Sequence, residues 1–240
     1  MRFKLIILFC FIFVNQALIG QQEYSTSTDT HVFWQPNTKI TKDDYRGVAT
    51  SQTEKFAREY GITAFASVGI WSVLDIPKKK KDRYRKYEKV YFAPAFERTT
   101  SYVAITVDLL QIEMQNLYFD MCELWARWAR RELQSYQDSL KATGVLSIFY
   151  ATVKEKMHQN RINMCSVYVN DVFVKKESGA FDKWKTIVHQ MLEQLKMWAT
   201  TPEECYRFVS GKPIEKGYIR AKKVISFGNS KTYSKNKNSN

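Results

Sequence analysis

Between Ile105 and Lys141 the chain contains neither glycine nor proline, and the next breaker is Gly144. Within this stretch Leu110, Met114, Leu117, Tyr118, Met121, Leu124, Trp125 and Trp128 recur at steps of three and four. That spacing places them on one face of a helix. Glu123 and Arg127 stand four apart, the distance of an intrahelical ion pair. At about 1.5 Å per residue such a helix is longer than a small domain is wide. This long helix is the strongest structural signal in the chain.

Two segments upstream have a different character. Residues 62–76 are rich in β-branched and aromatic side chains, and residues 89–97 alternate in part up to Pro94. They are predicted as two antiparallel strands. Lys78, Lys79, Lys80, Lys81, Arg83, Arg85 and Lys86 join them, with Tyr84 and Tyr87 interleaved. This hairpin loop is read either as an anion-binding finger or as a solvated connection.

Near the start, Thr41 is placed to cap one helical turn, with Asp43 and Asp44 in that turn and Gly47 ending it. Beyond the long helix, the pattern predicts a helix from about Leu146 to Gln159, an extended stretch over 163–174, and a helix from Ala180 to Trp198. Another turn starts at Thr201–Glu204. The expected class is α+β: a small antiparallel sheet packed on the long helix and two or three further helices.

The ends of the chain read differently. Arg2 and Lys4 precede an apolar run from Leu5 to Val14, and Ala17 to Gly20 follow it. Together these are the parts of a secretory signal peptide over 1–20. The run is shorter than the ~20 residues of a membrane span; the alternative is an uncleaved anchor. Residues 21–31 are polar and read as a flexible lead-in, 32–211 as one domain, and 212–240 as a basic, largely disordered tail. The expected localisation is periplasmic or extracellular, with no transmembrane segment after cleavage.

The formal charge of +13 falls to about +11 when Arg2 and Lys4 leave with the signal. Such a surface suits acidic partners, and export argues against nucleic acid, leaving an anionic envelope component or another protein. Three cysteines follow the signal: Cys122, Cys165 and Cys205. An oxidising compartment permits one disulfide and leaves one thiol. Sequence does not settle the pairing. Cys122 lies on the apolar helix face and is expected buried, which favours Cys165 with Cys205. The spacings match no zinc-binding pattern.

Several segments, in order, resemble a family of exported bacterial zincin-like proteins of unknown function. Trp34 with Ile40-Thr41-Lys42-Asp43-Asp44-Tyr45-Arg46-Gly47 is similar to its W…L-T-W-D-D-F-x-G opening. Phe92 to Val103 resembles its strand and S-W-V segment. Leu109-Leu110 and Phe119-Asp120-Met121-Cys122-Glu123-Leu124-Trp125-Ala126-Arg127 resemble L-L-x-H-E-Q-x-H-F-D-I-x-E-L-x-A-R. Tyr168 to Trp184 resembles a later Y-D-x-E-T-x-H segment. The resemblance implies a zincin-like fold over nearly the whole chain after the signal.

It also implies where zinc chemistry would sit. In H-E-x-x-H two imidazoles one turn apart hold zinc, and the glutamate between them takes a proton from bound water. Here the two histidine positions fall on Met114 and Tyr118, the glutamate position on Gln115, and the later histidine position on Val174. None of these suits a zinc hydrolase, and Met114, Leu117, Tyr118 and Val174 are expected to extend the apolar core into the former cavity. The histidines present, His31, His158 and His189, include no pair four apart.

The expected function is therefore a secreted or periplasmic pseudo-metalloprotease acting by binding, without catalytic residues, cofactor or zinc. One alternative is an active hydrolase with a rearranged metal or carboxylate site at Asp120 and Glu123, whose contrary reading is a solvated or ion-paired helix face. Another is a basic envelope-associated binding protein that uses the 78–89 loop and the tail.

Overall fold

The computed structural model describes residues 24–106 and 108–222. The expected signal peptide and the tail beyond Lys222 lie outside them. A four-stranded antiparallel sheet runs in the order β1 (His31–Phe33), β4 (Lys89–Glu97), β3 (Val68–Pro77), β6 (Tyr218–Arg220). A two-stranded ribbon pairs β2 (Ala64–Phe65) with β5 (Tyr102–Val103). Five α-helices accompany them: α1 (Ser51–Tyr60), α2 (Leu109–Leu140), α3 (Val145–Val169), α4 (Ala180–Gln194) and α5 (Pro202–Val209). The α+β class read from the sequence is the class observed.

The central strand shows how the layers are assembled. Phe92 to Phe96 are all buried, so both faces of β4 are covered. Phe92 joins a core with Ala126 and Ala129 of α2 and with Tyr150 and Val153 of α3. Phe96 meets Phe119, Trp34 and Ile40. The alternating Ala93 and Ala95 face the other way, against Phe33 and Cys205. Period-two alternation thus places helices on both sides of the sheet.

Helix α2 is the shared wall. Its Leu117, Met121 and Leu124 enter the largest core, Ala126, Ala129 and Leu133 the second, and Phe119 the third. Asp108 caps it, accepting from the Leu110 amide at 2.9 Å. Lys141 ends it with φ of 48°, and Gly144, at φ of 88°, opens α3, which folds back against α2.

Several expectations are corrected. Residues 163–174 are not extended: α3 continues to Val169 and passes into a π-helical turn, Asn170–Val174. The valines and Tyr168 there suggested a strand. Tyr150, Val153, Met157, Cys165, Tyr168 and Val172, however, form a buried stripe at helical spacing, interrupted only at the half-buried Arg161. The segment 62–76 is two strands, β2 and β3, separated by Ala66 and Ser67. The final long helix stops at Gln194 and is followed by a short 3-10 turn, Lys196–Trp198.

Folded structure also extends beyond both ends of the predicted domain. Ser27 bridges Val32, and the Tyr24 ring stands 5.3 Å from that of Tyr206, so 24–31 packs on the body. On the far side, β6 lies within 212–240 and pairs Ile219 with Ile76. Helix α1 carries no prediction from sequence; its stripe is short and only Ala57 is buried.

The three cysteines are buried free thiols. Cys165 belongs to the α2–α3–α4 core and Cys205 to the core between sheet and α5. The favoured pair is therefore separated by the fold.

Candidate functional site

A cavity of about 750 Å³ opens beside the β2 ribbon, between α1, α2 and the end of α3. Phe56 and Tyr60 come from α1, Phe65 from β2, Gln115 and Tyr118 from α2, and Arg161, Ile162, Cys165 and Val169 from α3. Phe173 and Val174 of the π turn close the far side. Three of the four positions at which the resemblance places zinc chemistry, Gln115, Tyr118 and Val174, line this one space.

Their interactions describe what the space can do. Gln115 donates through Nε2 to the carbonyl of Ala64 at 3.1 Å and ties the helix to the ribbon. The Tyr118 hydroxyl accepts from Arg161 Nη1 at 3.0 Å. Burial, with a smaller contribution from Cys122, pushes the Tyr118 pKa up to about 12, so the phenol keeps its proton. Val174 offers only hydrocarbon and is 54% exposed. Met114, the fourth position, is half-buried and packs on the largest core, while its carbonyl accepts from the Tyr168 hydroxyl at 2.9 Å.

These side chains do not fit zinc. A thioether is a soft donor, valine has none, and the phenol keeps its proton and already accepts from a guanidinium cation. Among the described residues no group of three or more His, Cys, Asp or Glu side chains converges. Of the four residues expected to extend the apolar core, Leu117 is buried in it and Met114 and Tyr118 pack against it, whereas Val174 is exposed at the cavity mouth.

The two carboxylates of α2 have separate surroundings. Glu123 is fully buried; its Oε1 accepts from Arg127 Nε at 2.8 Å and from the Thr200 amide at 2.8 Å, and its Oε2 from the Thr200 hydroxyl at 2.5 Å. Arg127 stacks over Trp34, 5.0 Å from the ring centroid, and donates to the Leu192 carbonyl at 2.6 Å. Beside it Arg130 pairs with Glu204 at 3.1 Å and donates to the carbonyls of Trp198 and Phe92. Asp120 instead accepts from Trp34 Nε1 at 2.7 Å and lies 3.9 Å from His189 Nε2. Burial raises the Asp120 pKa, against the lowering effect of the Trp34 bond. Glu123 is thus ion-paired on its own helix, and Asp120 is tied to Trp34 by a hydrogen bond.

The basic connection between β3 and β4 contains a 3-10 turn, Lys80–Tyr84. Lys78, Lys79, Lys80, Lys81, Arg83, Arg85 and Lys86 are all exposed, and none forms an ion pair with a described residue. Tyr84 is 83% exposed. Tyr87 is held closer, its carbonyl accepting from the Tyr218 hydroxyl at 2.9 Å.

Sequence reasoning missed Arg161, Phe56 and Tyr60. The signal for Arg161 was present, since it falls on the buried stripe of α3, between Met157 and Cys165. No helix among the described residues is long and apolar enough to cross a membrane. Compared with known proteins, the chain matches no family model, no curated protein and no solved structure.

Proposed function

We propose that this is an exported, non-catalytic binding protein built on a zincin-like plan, and that the cavity beside α2 is its binding site. One observation carries the reading. Gln115, Tyr118 and Val174, up to 59 residues apart in the chain, were singled out by motif order and meet at the rim and wall of one cavity. The long helix beside a small antiparallel sheet is the layout that the resemblance leads one to expect. At the positions implied for zinc stand groups poorly suited to it, and most of the side chains around them are apolar. Such a space binds rather than hydrolyses.

Two measurements test this. After equilibration with zinc and removal of the excess, elemental analysis should find no stoichiometric metal; one equivalent per chain would return hydrolysis as the leading function. The neutral dye Nile red should bind with one-to-one stoichiometry and fluoresce. Ser166→Trp, at an exposed helical position lining the cavity, should abolish that signal while leaving the circular dichroism unchanged. Absent dye uptake, or uptake indifferent to Ser166→Trp, would remove the cavity as the site.

A second reading is favoured by the seven exposed cations of the β3–β4 connection. They would hold the protein on an anionic envelope surface, independently of what the cavity binds.

A further inference from the structure

Arg161 is a cation in an apolar place. It is half-buried on the wall of the cavity, no Asp or Glu lines that cavity, and it forms no ion pair with a described carboxylate. Its hydrogen-bond partner, the Tyr118 hydroxyl, and the nearby thiols of Cys122 and Cys165 are all neutral groups. A guanidinium partly withdrawn from water without a counter-charge is unfavourable, and a carboxylate offered in the right plane relieves it through two parallel hydrogen bonds.

The rim is the second observation. Phe56 (44%), Tyr60 (38%), Ile162 (39%), Val169 (40%) and Val174 (54%) are large apolar side chains left in contact with solvent around this single opening. Scattered apolar residues on a surface need no explanation, but a cluster around a cavity marks a surface that something covers. Hydrocarbon at the mouth and one unpaired cation on the wall describe an amphiphile.

We infer that the cavity takes a single-chain alkyl carboxylate, its head on Arg161 and its chain along the Phe56–Phe65–Ile162 wall. The inference rests on the cavity being the binding site, and it names the ligand class. The Tyr118 phenol accepts from Arg161 and has its own proton left to donate to the same carboxylate. The space of about 750 Å³ is within the range of sites that enclose small amphiphilic ligands. The net charge of about +11 that follows the signal also favours the approach of an anion.

The test is displacement of Nile red from the whole protein by dodecanoate, dodecanol and dodecyltrimethylammonium, each below its micelle-forming concentration. Dodecanoate should displace about tenfold or more better than dodecanol, the effect of one charge-assisted contact. The ammonium should be the weakest of the three. Arg161→Gln should erase the preference for the carboxylate while leaving dodecanol unchanged, and Arg161→Lys should retain part of it. Equal displacement by acid and alcohol, or a preference that survives Arg161→Gln, would overturn the ligand class and leave the cavity as a site for neutral apolar molecules. Dye binding that ignores Ser166→Trp would instead sink the site itself. A folded Arg161→Lys keeps the comparison decisive if Arg161→Gln fails to fold.

Discussion

At Glu123 both oxygens are engaged, by the Arg127 guanidinium and by the amide and hydroxyl of Thr200. A carboxylate so enclosed is closed off from solvent. Its work is to neutralise Arg127, whose side chain is 6% exposed. Removing one member of a buried pair leaves the other charged and unmatched, at a cost of about 3–5 kcal/mol. Glu123→Gln keeps the volume and removes the charge, so urea unfolding should show a loss of that size. A variant of unaltered stability that abolished a chelator-sensitive peptidase activity would reinstate the rearranged-site hydrolase. Asp120 has a comparable structural duty towards Trp34, which brings the β1 end of the chain onto α2. Asn116 does the same for Ile40, bonding its amide at 2.8 Å and its carbonyl at 2.9 Å.

At the scale of elements, the β3–β4 connection and the α3–π turn illustrate two uses of local sequence. In the connection, successive lysines repel one another and remain hydrated, so they contribute little to folding. Replacing Lys78 to Lys81 with serine should change stability by less than about 0.5 kcal/mol. The same variant should elute from anionic vesicles at lower salt than the parent protein, because fewer cations meet the surface charge. Unchanged retention would exclude the loop as the docking element. In the π turn, the extra residue per turn brings Val172 and Phe173, 7% and 6% exposed, onto the same core as Tyr168. The Lys175 amide closes the turn on the Asn170 carbonyl at 2.8 Å. This shift in phase leaves Val174 facing out at the cavity mouth.

For the molecule as a whole, three of the four cores are joined through α2, and the thiols are spread over the interior: Cys122 and Cys165 near one another, Cys205 on the inner face of α5. Burial pushes their pKa values up to about 12, 11 and 12 for Cys122, Cys165 and Cys205. At pH near 8 each is then a thiolate in well under about one molecule in a hundred. A thiol reagent such as Ellman's should find neither Cys122 nor Cys205 in the native protein, whereas Cys165, on the cavity wall, is the one it can approach. All three should react in concentrated guanidinium chloride, as unfolding exposes every core. Only one reactive thiol after unfolding would mean a disulfide among them and would contradict the free-thiol arrangement. The long helix, the two main strands and the α+β class followed from the sequence alone, because hydrophobic period is a local property that each segment carries by itself. So did the ion pair of Glu123 with Arg127, fixed by a spacing of four. The cavity did not: Phe56, Gln115, Arg161 and Val174 come from four separate segments, and only packing around α2 brings them together. The run from 163 to 174 was misread for the same reason. Its β-branched residues suit a strand in isolation, and what makes it helical is the buried stripe that it continues against α2.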